Sequence, residues 1–134
     1  MAQNELVLVH DAARPCVSPE IIRKTCEAAQ EYGAAIAAVP ATDTVKIADA
    51  HSNISKTLDR REVWLAQTPQ VFWRLRFHMA LLEARRQGVE GTDCASLAEA
   101  LGQKVRLVEG DLNNLKVTYA ADLERAAAIL KARL

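Results

Sequence analysis

Leu6-Val7-Leu8-Val9-His10-Asp11-Ala12-Ala13-Arg14-Pro15 sets four apolar residues against an acid, two alanines, a base and a proline. The apolar run predicts a buried strand, and a continuous run of this kind suits a sheet covered on both faces. In such sheets ligands bind beyond the carboxyl ends of the strands, which puts Asp11 and Arg14 where chemistry is usually placed. An aspartate there can hold a divalent cation or a sugar hydroxyl. An arginine three residues on can fork onto a phosphate. The spacing alone equally allows Asp11 to cap a turn and Arg14 to be solvated.

Outward from this stretch the pattern is that of a layered α/β fold. Ser18 can cap a helix that starts at Pro19 and stops near Tyr32 and Gly33. Residues 34–39 form a second apolar strand ended by Pro40, which completes a strand–helix–strand unit. Residues 44–47 and 54–58 alternate around the turn formers Asp49, Ser52 and Asn53, which predicts a hairpin. Such a ribbon is marginal alone and short of apolar residues, so it leans on something such as a second subunit, or is a plain surface hairpin. From Phe72 the positions Leu75, Met79 and Leu82 follow helical spacing, which assigns them to the core, and Gly88 ends that helix. Thr92 and Asp93 offer caps to a short helix ending near Gly102. Residues 105–108 read as a strand, leading through a turn at 110–114 to Leu115-Lys116-Val117-Thr118. A last helix carries Leu123, Ala126, Ala127, Leu130 and Leu134 on one face.

The 134 residues make one α/β domain, half apolar and a quarter charged, hence globular. Seventeen basic residues balance seventeen acidic ones, which argues against a nucleic-acid or membrane-surface partner. No apolar run approaches the roughly 20 residues of a membrane span, and no secretory pattern opens the sequence. Cys16, Cys26 and Cys94 lack metal-like spacing and read as reduced thiols, which predicts a cytoplasmic setting.

Three polar clusters fall at element ends: Asp11 with Arg14, Arg60 with Thr68, and Thr92 with Lys116. Two arginines, a lysine and two threonines suit a site that grips phosphate oxygens. Taken singly, each threonine is as well read as a cap and each charge as a solvated group. From the residues alone the reading is an α/β domain handling a phosphorylated small molecule.

The wording of the clusters goes further. His10-Asp11-Ala12-Ala13-Arg14-Pro15, Asp43-Thr44, Asp59-Arg60, Thr68-Pro69-Gln70, Thr92-Asp93 and Asn114-Leu115-Lys116-Val117-Thr118 follow one another in that order. Together they closely resemble the 2-C-methyl-D-erythritol 4-phosphate cytidylyltransferases of the non-mevalonate isoprenoid pathway, over nearly the whole sequence. The resemblance implies part of a Rossmann-like nucleotidyltransferase mixed sheet, with a protruding β-hairpin arm at 41–64 that serves dimerisation. It implies transfer of CMP from CTP to the polyol phosphate with release of pyrophosphate, with Mg²⁺ bridging the triphosphate. Carried over by position, Arg60 and Lys116 are the catalytic pair that holds the methylerythritol phosphate. Thr44, Thr68 and Thr92 help bind its phosphate group. Asp11 and Arg14 line the pocket between nucleotide and substrate, with Asp11 nearest the metal. Thr44 and Arg60 reach, on the arm, into the site of a second copy in a homodimer.

Departures accompany the matches. The family carries a glycine-rich loop whose backbone cradles the triphosphate, together with an arginine and a lysine. Here Gly33, Gly88, Gly91, Gly102 and Gly110 are scattered. Cys94 follows Thr92-Asp93 where an acidic residue is common. The sequence thus reads as the C-terminal part of such an enzyme. Loss of one preorganised donor costs about 10²–10³ in rate, so impaired turnover is the expectation, along with exposed sheet edges. The alternatives are a catalytically silent fragment that binds the polyol phosphate and dimerises, or a cytidylyltransferase for ribitol or glycerol phosphate.

Overall fold

A computed structural model describes residues 5–134. The chain runs β1 (Leu6–Val9), α1 (Pro19–Tyr32), β2 (Ala34–Pro40), β3 (Lys46–Ala48), β4 (Ile54–Thr57), a 3-10 turn (Arg60–Glu62) and β5 (Trp64–Trp73). It continues with α2 (Arg74–Gln87), α3 (Cys94–Ala100), β6 (Arg106–Glu109) and α4 (Ala120–Ala132). The architecture is mixed α/β. A four-stranded sheet has the order β1-β5-β2-β6, and β3 and β4 form a separate ribbon. Strand β5 runs antiparallel to both neighbours, while β2 and β6 are parallel. Strands β1, β2 and β6 therefore point the same way and deliver their carboxyl ends to one end of the sheet.

Local chemistry explains the first unit. Ser18 has extended backbone and its hydroxyl accepts the Ile21 N–H, while Pro19 opens α1 without wasting a donor. Gly33 ends the helix at φ +90°, a left-handed conformation that costs an L side chain about 1–2 kcal/mol. Ile21, Thr25 and Ala29 turn inward, and Thr25 returns its hydroxyl hydrogen to the Ile21 carbonyl at 2.7 Å.

The sheet has helices on both faces. Ala29 and Ala35 pack with Val71, joined by Leu6, Cys26 and Val108, beneath α1. On the other face Ala34 and Phe72 meet Phe77 of α2 and Ala98 of α3, with Val7 and Val9 alongside. Phe72 and Phe77 stack with ring centroids 4.3 Å apart.

Three expectations about burial are corrected. Strand β1 lies at the sheet's edge and is only half-buried, with Leu8 40% exposed; the wholly buried apolar run is in β2. Helix α2 buries Phe77, Ala80 and Ala84, and leaves Leu75, Met79 and Leu82 exposed. Phe77 sets that orientation, because its ring is the larger apolar group and stacks on Phe72. Of the face expected in the last helix only Ala126 is buried; Leu123, Ala127 and Leu130 are exposed in α4, and Leu134 is exposed beyond its end. The hairpin forms as expected, and every residue of β3 and β4 is exposed.

Strand β5, the centre of the sheet, has no counterpart in the sequence reading. Its partner register jumps from Gln70 opposite Ile36 to Ala66 opposite Ala38, so residues 67–69 face the single residue Ala37. Pro69, preceded by a cis peptide, sits inside this bulge, where its missing N–H removes nothing from the ladder.

Candidate functional site

The bulge of β5, the loop after β1 and the loop after β6 meet at one end of the sheet. They enclose a cavity of about 370 Å³ lined by Asp11, Arg14, Thr68, Thr92 and Lys116, with Gln67, Gln70, Asp93 and Cys94. Five of the seven residues expected at the site are thus brought together. Thr44 and Arg60 are not among them. Both are exposed near the hairpin, and the Arg60 guanidinium donates to the Thr42 carbonyl at 2.7 Å. A larger groove of about 730 Å³ beside α2 is lined by Met79, Leu82 and Leu101 together with Arg76, Glu83 and Arg86, and there Glu83 and Arg86 are paired with each other.

Within the cavity the charges are organised around Asp11. Arg14 Nε donates to Asp11 Oδ2 at 3.1 Å, and Lys116 Nζ stands 3.6 Å from the same oxygen. Arg14 is not a solvated surface charge. Its side chain is 11% exposed, and its Nη1 donates to the Asn114 carbonyl at 2.7 Å. Lys116 is half exposed, so its ammonium group reaches solvent as well as Asp11. No group of three or more His, Cys, Asp or Glu side chains able to hold a metal exists among the described residues.

Thr68 is held more tightly than its sequence context suggests. It is 8% exposed; its hydroxyl oxygen accepts the Asp11 N–H at 3.0 Å and lies 2.9 Å from His10 Nδ1. The other ring nitrogen, Nε2, faces the Arg14 carbonyl at 3.0 Å. A carbonyl only accepts, so Nε2 carries the proton, and in a neutral ring Nδ1 accepts from the Thr68 hydroxyl. His10 thereby ties the β1 loop to the β5 bulge.

Four side chains absent from the sequence-derived site support it. Gln67 donates to the Asp111 carbonyl at 2.9 Å. Asn114, fully buried, donates to Gln67 Oε1 at 3.2 Å and to the Thr68 carbonyl at 2.8 Å. Gln70 donates to Asp93 Oδ2 at 2.8 Å and accepts the Ala95 N–H at 2.9 Å. Asp93 also caps α3, accepting the Ser96 N–H at 2.8 Å. The available signal was two amides flanking Thr68-Pro69 in an otherwise apolar run, because amides buried there need partners. Cys94 enters the cavity from the first position of α3. Burial, helped by the carboxylates of Asp93 and Asp11, pushes its thiol above the ordinary range.

Two cations, two carboxylates and hydroxyls at the carboxyl end of a helix-covered mixed sheet define an α/β domain with a site suited to phosphate oxygens. Comparison with known proteins then gives the particular family. The chain belongs to the family described as IspD, 2-C-methyl-D-erythritol 4-phosphate cytidylyltransferase, whose model matches residues 1–132. It is 47% identical over 129 residues to the 2-C-methyl-D-erythritol 4-phosphate cytidylyltransferase of Syntrophus aciditrophicus, covering 96% of this chain and 55% of that protein. The crystal structure of the enzyme so named from Thermus thermophilus is similar with a TM-score of 0.81 and 40% identity, covering 96% of this chain and 62% of that one. The synthase structure from Anaerococcus prevotii matches with a TM-score of 0.87 at 34% identity, over 98% of this chain and 59% of that one. The chain spans just over half the length of the curated relatives it matches.

Proposed function

We propose that this chain supplies the polyol-phosphate side of a cytidylyltransferase, which transfers CMP from CTP to 2-C-methyl-D-erythritol 4-phosphate and releases pyrophosphate. The observation that carries this reading is the convergence of Arg14 and Lys116 on Asp11 in one cavity with Thr68 and Thr92. A phosphate oxygen of the polyol attacks the α-phosphorus of CTP. The new P–O bond forms as the α–β bridging P–O bond breaks, and its electron pair leaves with pyrophosphate. No covalent intermediate on the protein is needed, so its work is to position and to neutralise.

The parts divide as follows. Lys116, half exposed at the cavity mouth, pairs with the phosphate of the polyol and helps bring its oxygen into line. Thr92, just before the start of α3, donates its hydroxyl to the same group. Thr68 contributes chiefly by fixing His10 and the Asp11 backbone, because its hydroxyl is already engaged. Arg14, held in place by Asn114, neutralises charge between the two substrates. Mg²⁺ would offset triphosphate charge. It is usually bound through one or two carboxylates plus substrate phosphates, a demand that Asp11 fits as the cavity carboxylate not committed to a helix cap. The hairpin supplies a dimerisation arm in a cytoplasmic homodimer, and Thr44 and Arg60 enter the site of the second copy. Its wholly exposed strands support that role. No helix among the described residues is long and apolar enough to cross a membrane.

The test is calorimetric titration of the chain with methylerythritol phosphate, followed by pyrophosphate release with CTP and Mg²⁺. The Syntrophus relative serves as positive control. Saturable binding that weakens at least about 10-fold in Lys116→Ala is expected; equal affinities would remove Lys116 from the site. Binding without pyrophosphate release, in a folded chain, would establish the silent polyol-phosphate-binding reading instead. Preference for ribitol or glycerol phosphate in competition would reassign the substrate.

A further inference from the structure

Asn114 is fully buried and links three segments that carry the site. Its side-chain NH₂ gives both hydrogens to β5, one to Gln67 Oε1 at 3.2 Å and one to the Thr68 carbonyl at 2.8 Å. Its own carbonyl receives Arg14 Nη1 at 2.7 Å, which reaches across from the β1 loop. Its N–H closes the turn on the Asp111 carbonyl at 3.0 Å, and three residues later Val117 N–H bonds the Ala13 carbonyl at 2.8 Å. Lys116 lies between those two fixed points. The backbone of the lysine loop is thus pinned on both sides, and the pin nearer β5 is an amide.

The choice of an amide here is informative. Asn114 Oδ1 is buried and finds no partner among the described residues. A buried oxygen without a donor is a cost that an apolar residue of similar size would avoid, and such costs persist where the rest of the group is needed. The needed part is the NH₂, which fixes the carbonyl that aims Arg14.

We infer that Asn114 is a positioning residue for the two cations: it holds Arg14 through its main-chain oxygen and Lys116 through the loop it anchors. The inference rests on the polyol-phosphate reading of the cavity, because aimed cations matter only where an anion binds. It predicts that removing the amide loosens Arg14 and the lysine loop while the sheet stays intact. It also predicts that the resulting loss of affinity is coupled in part to Lys116 rather than simply added to it.

The experiment compares the wild-type chain with Asn114→Ala by ¹H–¹⁵N spectroscopy and by calorimetric titration with methylerythritol phosphate. Hydrogen exchange at Arg14 Nε and at the Val117 amide is expected to speed at least about 10-fold in the variant, with the amides of residues 35–38 unchanged. Affinity for the polyol phosphate is expected to fall about 10-fold in the wild-type background, and by a smaller factor in a Lys116→Ala background, where only the share carried by Arg14 remains to be lost. Unchanged exchange at Arg14 and Val117 overturns the inference. So does an equal affinity loss in both backgrounds, which would mark Asn114 as a general structural residue. If Asn114→Ala does not fold, Gln67→Met keeps the question open to decision. It removes one of the two Asn114 bonds and the tie to Asp111, and a partial acceleration at the same two sites is required. A wild-type chain that does not bind the polyol phosphate would defeat the functional reading alone, because the exchange rates judge the positioning without any ligand.

Discussion

Replacing Gln70 by leucine should unfasten α3 from the centre of the sheet. Gln70 is 2% exposed, and its amide spans β5 and the start of α3. Three bonds are lost outright: the donor to Asp93 Oδ2 at 2.8 Å, the acceptor for Ala95 N–H at 2.9 Å and a longer donor to the Gln67 carbonyl at 3.3 Å. A hydrogen bond to a charged group contributes about 1.5–3 kcal/mol, and a buried N–H left without a partner costs about 1–3 kcal/mol. Ala95 is 2% exposed, so water cannot easily replace the lost acceptor. Burying an apolar side chain in the same volume returns about 1–2 kcal/mol. The net is a destabilisation of about 2–3 kcal/mol. With a urea slope of about 1–3 kcal/mol per molar, the unfolding midpoint should fall by about 1–2 M with the slope unchanged. Equilibrium unfolding followed by circular dichroism measures this directly. Faster exchange of the Ala95 and Ser96 amides should locate the damage at the beginning of α3. A stability change under about 0.5 kcal/mol would refute the reasoning, because it would mean that the amide bridge merely replaces bonds to water.

Two other outcomes follow from the site. The Cys94 thiol is raised chiefly by burial and then by Asp93 and Asp11, so at about pH 8 it holds less thiolate than a free cysteine and should alkylate more slowly. Its rate should keep climbing above the usual thiol range, and Asp11→Asn should speed it; peptide-level mass spectrometry after iodoacetamide gives the rates, and parity with a free cysteine peptide would contradict the assignment. In the longer family context, Arg60→Ala should abolish most turnover, and mixing it with Lys116→Ala protomers should restore activity if the hairpin serves the other copy's site. Mixed dimers as inactive as either parent would confine both residues to their own subunit.

Much of the fold was legible because local signals and tertiary structure agree. Ser18, Pro19 and Gly33 mark the ends of α1 by chemistry that needs no neighbours. Asp93 is a recognisable cap, and the alternation around residues 49–53 gives the ribbon. Strand β5 was not legible, because Pro69 and three polar residues interrupt its apolar pattern, and only the bulge opposite Ala37 makes them compatible with a strand. The buried face of α2 was misread for a related reason. Leu75, Met79 and Leu82 and the set Phe77, Ala80 and Ala84 both follow helical spacing, and the stacking of Phe77 on Phe72 chooses between them. In the cavity, charged residues announced themselves by type at strand ends. The amides of Gln67, Gln70 and Asn114 did not, because their importance lies in partners on distant segments.

The Arg14–Asn114 bond joins residues 100 positions apart, and the Asp11–Thr68 bond joins residues 57 apart. At a synthesis rate of about 5–20 residues per second, Arg14 leaves the ribosome about 5–20 s before the carbonyl that aims it. Until then Asp11, three residues away, is the charged partner nearest Arg14 in sequence. The two halves of the cavity thus mature at different times. A nascent chain carries Asp11 and Arg14 long before it carries the loop that completes their grip on an anion.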